Sequence, residues 1–357
     1  MVAIEWNGPI TDPVGYSTVG REFLLALDKI GVDCYLSWGI HGWTRKESLD
    51  DVFINLFKKL NRKPKNIKTL KVNFKLPFIQ RYNRRSVMMT LFETDRIPSS
   101  WPKRCNNGFR ETWIPNDFNM ESFRRSGVRK LYKMPYGVNL SRFNLRVKDL
   151  NFPKDEFKFF STFDFSFRKN PHGLIAAYFK TFRFEDPVTL YVKAWNIPSN
   201  QFKGYLNKIG CDGNKPKIVF IPSIVTDNKM ARLYKTADCL VMPSYGEGWS
   251  MPSIQAMACG TPVIATNWSG QLEFMNTKNS YLIAVERIEP TEHSVHYKKY
   301  MNWAKPNTEH LAFLMRYVFE HQKDAKKKGL KAHKDVQKFS WINAAKRMKK
   351  RSEELLE

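Results

Sequence analysis

A chain of 357 residues is long enough for two domains of ordinary size. With 42% hydrophobic and 14% aromatic residues it can bury sizeable cores, which excludes a disordered or fibrous protein. The 59 Lys+Arg against 34 Asp+Glu leave a formal net charge of +25; folding alone requires no such excess, and it points to a polyanionic partner such as nucleic acid, an anionic membrane surface or a charged polymer.

No run approaches about 18 consecutive apolar residues, so no bilayer-spanning helix is expected. The opening MVAIEWNGPI lacks the basic-then-apolar order of a secretory signal. The five cysteines (Cys34, Cys105, Cys211, Cys239 and Cys259) are odd in number and form no C-x-x-C pair. They read as reduced thiols of a cytoplasmic protein and fit neither a disulfide frame nor a zinc site.

In chain order, Val2 to Trp6 is a short apolar strand leading into the Gly/Pro-rich loop NGPITDPVGYS. Val19, Phe23, Leu24, Leu27 and Ile30 then recur at helical spacing up to Gly31, and Asp33 to Trp38 reads as a second strand. Strand, glycine-bearing loop, helix and strand form a βαβ unit, hence a parallel sheet. Ser86–Phe92 and Thr112–Ile114 are further strand candidates.

A similar alternation restarts after Asn151. Strands are predicted at Lys158–Phe163, Val188–Ala194, Lys217–Ile221, Cys239–Met242 and Pro262–Thr266, with helices at Pro171–Lys180, Lys229–Lys235 and Pro252–Cys259. The charged, proline-bearing LRVKDLNFPKDEF lies between the two halves. The expected organisation is an α/β protein of two doubly wound, Rossmann-like domains facing a cleft, at residues 1–150 and 151–339. An amphipathic helix at 340–357 follows, with Ser340 as N-cap and Trp341, Ala345, Met348 and Leu355 on one face. Such a helix must dock, either back on the first domain or on a membrane.

The stretch PSYGEGWSMPSIQAMACGTPVIATNWSG, from Pro243 to Gly270, carries the chemistry. A strand ends at Met242, a turn presents Glu247 and Gly248, and a helix opens at Pro252, a residue suited to a first helical turn. Free amides there, such as that of Ser253, suit a diphosphate, and the small Gly248 and Ser250 permit close approach. Gln255 lies eight residues after Glu247. On the residues alone, a Gly-rich strand–helix turn without a ligand fits equally well.

This stretch resembles the signature of the retaining GT-B glycosyltransferases of family 4, E-G-[FW]-G-x-x-x-x-E-A-M-A-x-G-x-P-V-I-A. Here it appears as Glu247-Gly248-Trp249, Ala256-Met257-Ala258, Gly260 and Pro262-Val263-Ile264-Ala265. The second acid of the family is replaced by Gln255. RKNPHGLIAAY resembles the segment whose basic pair neutralises the donor diphosphate, which implies that role for Arg168 and Lys169; the Arg usual five residues earlier is Phe163 here. MPYGVNLSRF and KMARLYKTADCLVMPS resemble flanking family segments, and Gly15-Tyr16-Ser17 resembles the glycine loop of the first domain.

The resemblance implies a GT-B fold, with a C-terminal helix crossing back to the first domain, and a nucleotide-sugar co-substrate, most commonly a UDP-sugar. It further implies retention of configuration, with Glu247, Arg168 and Lys169 as the catalytic set. The donor-binding residues it implies are Gly15, Val225, Gly248, Trp249, Ser250, Met251, Ser253 and Gln255. Neither an Asp-x-Asp pair nor a His/Cys/Asp cluster at ligand spacing occurs, so no metal and no further cofactor is expected. Bland alternatives are a solvated basic loop for Arg168 and Lys169, and a plain turn for Gly15.

LFETDRIPSSW resembles a loop that approaches donor sugar and acceptor, making Glu93 and Asp95 acceptor-side candidates; a surface cap or salt bridge is the alternative for each. From Lys58 to Arg85 there are eleven basic residues and no acidic one, with Lys58, Lys59, Lys63, Arg84 and Arg85 singled out as acceptor-side cations. Lys323 to Arg351 adds twelve more against Asp324 and Asp335. Two acceptors fit this charge. The favoured one is duplex DNA carrying hydroxymethylated cytosine, as for bacteriophage DNA glycosyltransferases that share the GT-B fold, acting in the host cytoplasm if the protein is viral. The other is a lipid or glycan at an anionic membrane. A non-catalytic GT-B-like binding protein is a third reading.

Overall fold

The computed structural model describes residues 2–12, 14–37, 51–60, 67–210, 214–291 and 296–357. It divides into two compact units: Met1–Asn139 with Ser294–Met301 and Lys338–Glu357, and Leu140–His293 with Asn302–Gln337. The chain first passes from one unit to the other after Asn139, ahead of the expected boundary near 150. The segment that follows is tied to the second unit, where Leu150 N–H donates to Thr236 Oγ1 at 2.7 Å and the Arg232 guanidinium reaches the carbonyls of Lys148 and Asp149.

In the first unit, β1 (Val2–Asn7), β2 (Asp33–Leu36), β3 (Lys68–Phe74), β4 (Ser86–Met89), β5 (Thr112–Ile114) and β6 (Leu131–Lys133) form a parallel sheet in the order β2-β1-β3-β4-β5-β6. Its helices are α1 (Gly15–Lys29), α2 (Asp51–Lys59), α3 (Trp101–Gly108) and α4 (Asp117–Arg125). Leu70, Val72, Phe74, Val87, Met88 and Met89 are fully buried, as a parallel sheet covered on both faces requires. The strand expected over Ser86–Phe92 stops at Met89, because the Asn119 side chain takes both the N–H and the carbonyl of Phe92. Trp38, the expected end of β2, lies outside the described residues.

In the second unit, β7 (Phe157–Thr162), β8 (Val188–Lys193), β9 (Lys217–Ile221), β10 (Cys239–Met242), β11 (Val263–Thr266) and β12 (Tyr281–Ile283) form a parallel sheet ordered β12-β11-β10-β7-β8-β9. The helices are α5 (Pro171–Thr181), α6 (Ser199–Lys208), α7 (Asp227–Thr236), α8 (Met251–Ala258), α9 (Thr308–Glu320) and α10 (Gln322–Val336). A hairpin of β13 (Val285–Pro290) and β14 (Asn302–Pro306) follows β12. One sheet face packs Phe159, Leu190 and Val192 on α5 and α9; on the other, Phe160 meets Tyr234 of α7. The strand order reverses between β7 and β10, so the loops after these strands diverge and leave a crevice at the carboxyl edge.

The last helix, α11 (Trp341–Leu356), belongs to the first unit and is not a separate element. Ser340 caps it by accepting from Asn343 N–H, and Trp341, Ala345, Met348 and Leu355 are buried. Trp341 packs on Phe23 of α1 and on Tyr136, at ring distances of 5.1 and 6.3 Å. The apolar stripe finds its core inside the protein.

Candidate functional site

Two loops at the carboxyl edge of the second unit's sheet are laced together across the switch point. After β7, the chain makes a short 3-10 turn over Phe167–Lys169 and reaches Asn170. Asn170 caps α5 through Gly173 N–H, and its amide donates to Pro243 O at 3.2 Å, in the loop after β10. Tyr245 N–H donates to Arg168 O at 2.8 Å, and the Arg168 guanidinium donates to Gly246 O at 2.7 Å. The basic pair and the Gly-Glu-Gly turn are therefore one structure.

Glu247 stands at its centre. Lys169 Nζ is 2.7 Å from its Oε1 and Arg168 Nη1 is 3.5 Å from its Oε2, with Glu247 5% and Lys169 7% exposed. Burial by itself would raise the carboxyl's pKa. The charges of Lys169 and Arg168, with the hydrogen bond from Lys169, outweigh it and hold Glu247 below its ordinary value. Its main chain is clamped as well: Glu247 N–H donates to Ser269 Oγ at 2.9 Å and its carbonyl accepts from Gly270 N–H at 2.9 Å.

Asp164, in the same loop as Arg168, is a second carboxylate of the cluster. Burial raises its pKa, but the charges of Lys169 and Arg168 bring it below the ordinary value. The sequence reading missed Asp164 and Ser269, although an acid four residues ahead of a basic pair was there to be noticed.

Backbone strain gathers here too. Among the described residues the non-glycine residues at positive φ are Asn170 (56°), Ser250 (68°) and Ser269 (72°), all in loops at this edge. Each such conformation costs about 1–3 kcal/mol and persists only where its surroundings enforce it. Ser250 precedes α8, with Pro252 in the first turn, and its hydroxyl lies 2.8 Å from that of Ser253. Met251 opens α8 and is half-buried. Gln255 is buried on α8, its Oε1 accepting from Tyr234 Oη at 3.3 Å. The amide of Gln255 is thus already engaged with a tyrosine.

The remaining donor candidates separate. Gly248 is buried in the turn, and Trp249 is 2% exposed with its ring 5.3 Å from Phe274, as a core side chain. Val225 lies half-buried in the loop between β9 and α7. Gly15, in the first unit, opens α1, and a Cβ added there would meet nothing within 4 Å.

The acceptor-side candidates do not form one pocket. Glu93 follows β4, and its Oε2 accepts from Tyr297 Oη at 3.0 Å, a partner the sequence reading did not identify. Asp95 is half-buried in the same loop. Arg84 and Arg85 immediately precede β4, so they stand at the opposite end of that strand from Glu93 and Asp95. Lys58 and Lys59 end α2, where Lys59 lies 3.6 Å from Asp28. Lys63 lies outside the described residues. The loop resemblance that singled out Glu93 and Asp95 and the basic run that singled out Arg84 and Arg85 thus point to opposite ends of β4.

Among the described residues no helix is long and apolar enough to cross a membrane, and no group of three or more His, Cys, Asp or Glu is arranged to hold a metal ion.

Residues 143–296 match the family described as glycosyl transferases group 1. The whole Arg168–Lys169–Glu247 cluster falls inside that span. A D-inositol 3-phosphate glycosyltransferase of Rhodococcus opacus is 40% identical over 58 residues, 16% of this chain and 13% of the relative. The second of the curated relatives is matched over 17% of its length. The chain therefore spans only a small part of the curated relatives it matches. Solved structures align along nearly the whole chain. Sucrose-phosphate synthase from Thermosynechococcus elongatus aligns with a TM-score of 0.67 at 18% identity, over 99% of each chain. HepE of Anabaena, solved with UDP and glucose, aligns with a TM-score of 0.66 at 12% identity, over 99% of this chain and 100% of that one. The two α/β units are those of the GT-B fold.

Proposed function

We propose that the protein is a retaining glycosyltransferase that moves a sugar from a nucleotide-sugar donor, a UDP-sugar, to a hydroxyl acceptor. The observation that carries this reading is the buried Glu247 held by Lys169 and Arg168 at the switch point, inside the matched span. Arg168 and Lys169 take up charge on the departing diphosphate, and Glu247 orients the sugar. The C1–O bond to the β-phosphate breaks as the acceptor oxygen bonds to C1 on the same face. The acceptor proton passes to the leaving phosphate oxygen. Gln255 serves the ribose through its amide. No step requires a metal ion.

For the acceptor we infer a lipid- or glycan-linked hydroxyl at an anionic membrane. What supports it is the segment joining β3 to β4, where Leu76, Ile79 and Tyr82 are 46%, 83% and 54% exposed among the exposed Arg81, Arg84 and Arg85. The segment is anchored from below, by Phe78 against Phe109 and by the Gln80 amide on Gly108 O at 2.8 Å. DNA phosphates would match the arginines and leave Ile79 in water, whereas a bilayer interface accommodates both. Duplex DNA with hydroxymethylcytosine is the second reading, favoured by the run of eleven basic residues without an acid.

Labelled UDP-sugars offered with anionic vesicles containing cell-envelope lipids, with hydroxymethylcytosine duplex and with unmodified duplex test both parts. Label in the lipid fraction supports the reading, and label in the modified duplex alone replaces the acceptor. Nucleotide binding with no turnover of any donor supports the non-catalytic alternative.

A further inference from the structure

Lys193 is the last residue of β8, at the carboxyl edge of the second unit's sheet and one strand from the loop of Arg168 and Lys169. It is 8% exposed, and its ammonium makes no hydrogen bond or ion pair with any described residue, although its main-chain carbonyl accepts from Phe163 N–H. Burying an unpaired ammonium costs several kcal/mol. Burial accordingly lowers the pKa of this amine. A methionine of the same length would avoid that cost, so folding does not explain a lysine here.

Register tells which way it faces. Lys193 pairs with Thr162, and Tyr191 pairs with Phe160. Phe160 packs on Tyr234, whose hydroxyl holds Gln255. Alternation along the strands therefore puts Lys193 on the α7–α8 face, the face of the candidate ribose group, and not on the α5–α9 face with Val192. The next loop along this edge, after β9, contains Val225.

We propose that Lys193 is a binding group for the nucleoside diphosphate half of the donor, pairing its ammonium with a phosphate oxygen on the ribose side. This rests on the glycosyltransferase reading above. It supplies a cation at an edge where Phe163 stands in the place of the family's additional arginine.

Calorimetric titration of UDP into the full-length protein, its Lys193→Met and its Lys193→Arg variants tests this, alongside melting without nucleotide. We expect Lys193→Met to bind UDP at least tenfold more weakly, the scale of a lost charged hydrogen bond, with Lys193→Arg retaining most of the affinity. The melting temperature of Lys193→Met should equal or exceed that of the wild type. Equal UDP affinity in wild type and Lys193→Met overturns the inference alone. A lowered melting temperature with unchanged affinity assigns the lysine to folding and overturns it too. Failure of the wild type to bind UDP, GDP or ADP overturns the donor reading together with the inference.

Discussion

Lys169 Nζ and Glu247 Oε1 lie 2.7 Å apart, buried, although 78 residues separate them in the chain. Removing one partner leaves the other charge uncompensated away from water. Glu247→Ala should therefore cost about 3 kcal/mol of stability, and Glu247→Gln, which still accepts from Lys169, about 1 kcal/mol. Urea unfolding of the two variants checks the order. Transfer should fall by about 10²–10³ in Glu247→Gln even though it folds.

The same pair sets a pH dependence. Glu247 and Asp164 both titrate below their ordinary values of 4.5 and 3.8 in the folded protein. Their contribution is fully present above those values and is lost as pH falls through the lower folded ones. The difference in melting temperature between wild type and Glu247→Gln should be constant above about pH 5.5 and shrink below about pH 4. A difference that grows on acidification would contradict the ion pair.

Ser269 holds φ 72° and ψ −158°, a region glycine occupies freely, while its hydroxyl accepts from Glu247 N–H. Ser269→Ala keeps the strain and loses the acceptor; Ser269→Gly loses the acceptor and the strain. The glycine variant should be the more stable of the two by about 1–3 kcal/mol, read from thermal or urea unfolding. Both should turn over donor more slowly than wild type, because Glu247 loses one of its clamps.

Gln255→Glu would place a carboxylate where Tyr234 Oη already donates. A charged acceptor binds ribose hydroxyls more strongly than an amide, by about 1 kcal/mol. The variant should bind UDP several-fold more tightly by calorimetry. Unchanged affinity would reduce Gln255 to a packing contact of Tyr234.

Gly137 admits no side chain, since a Cβ there would stand 2.5 Å from Trp341 N and 2.8 Å from Ser340 C. Gly137→Ala must push α11 away from its seat. We expect a loss of about 1–3 kcal/mol, visible as an earlier change in tryptophan fluorescence during urea unfolding.

Several features were legible in the sequence because they are local. Apolar runs bounded by turn residues gave β5, β9 and β10 to the residue, and the helical spacing of Trp341, Ala345, Met348 and Leu355 gave α11 its buried face. Glu247, Arg168 and Lys169 stood out by motif, and the Lys58–Arg85 run stood out by charge alone.

What the sequence left undetermined depends on which distant segments meet. Only the fold brings Lys169 to Glu247, seats Tyr234 on Gln255 and closes Ser269 over the Glu247 amide. The parallel direction of β4 puts Arg84 and Arg85 at the end away from Glu93, a separation invisible to residue counting. Lys193 looks like one more cation of a basic chain until its burial and register are known. Periodicity and motif are encoded between neighbours in sequence, whereas ion pairing, burial and strand direction arise only once the sheet has ordered its strands.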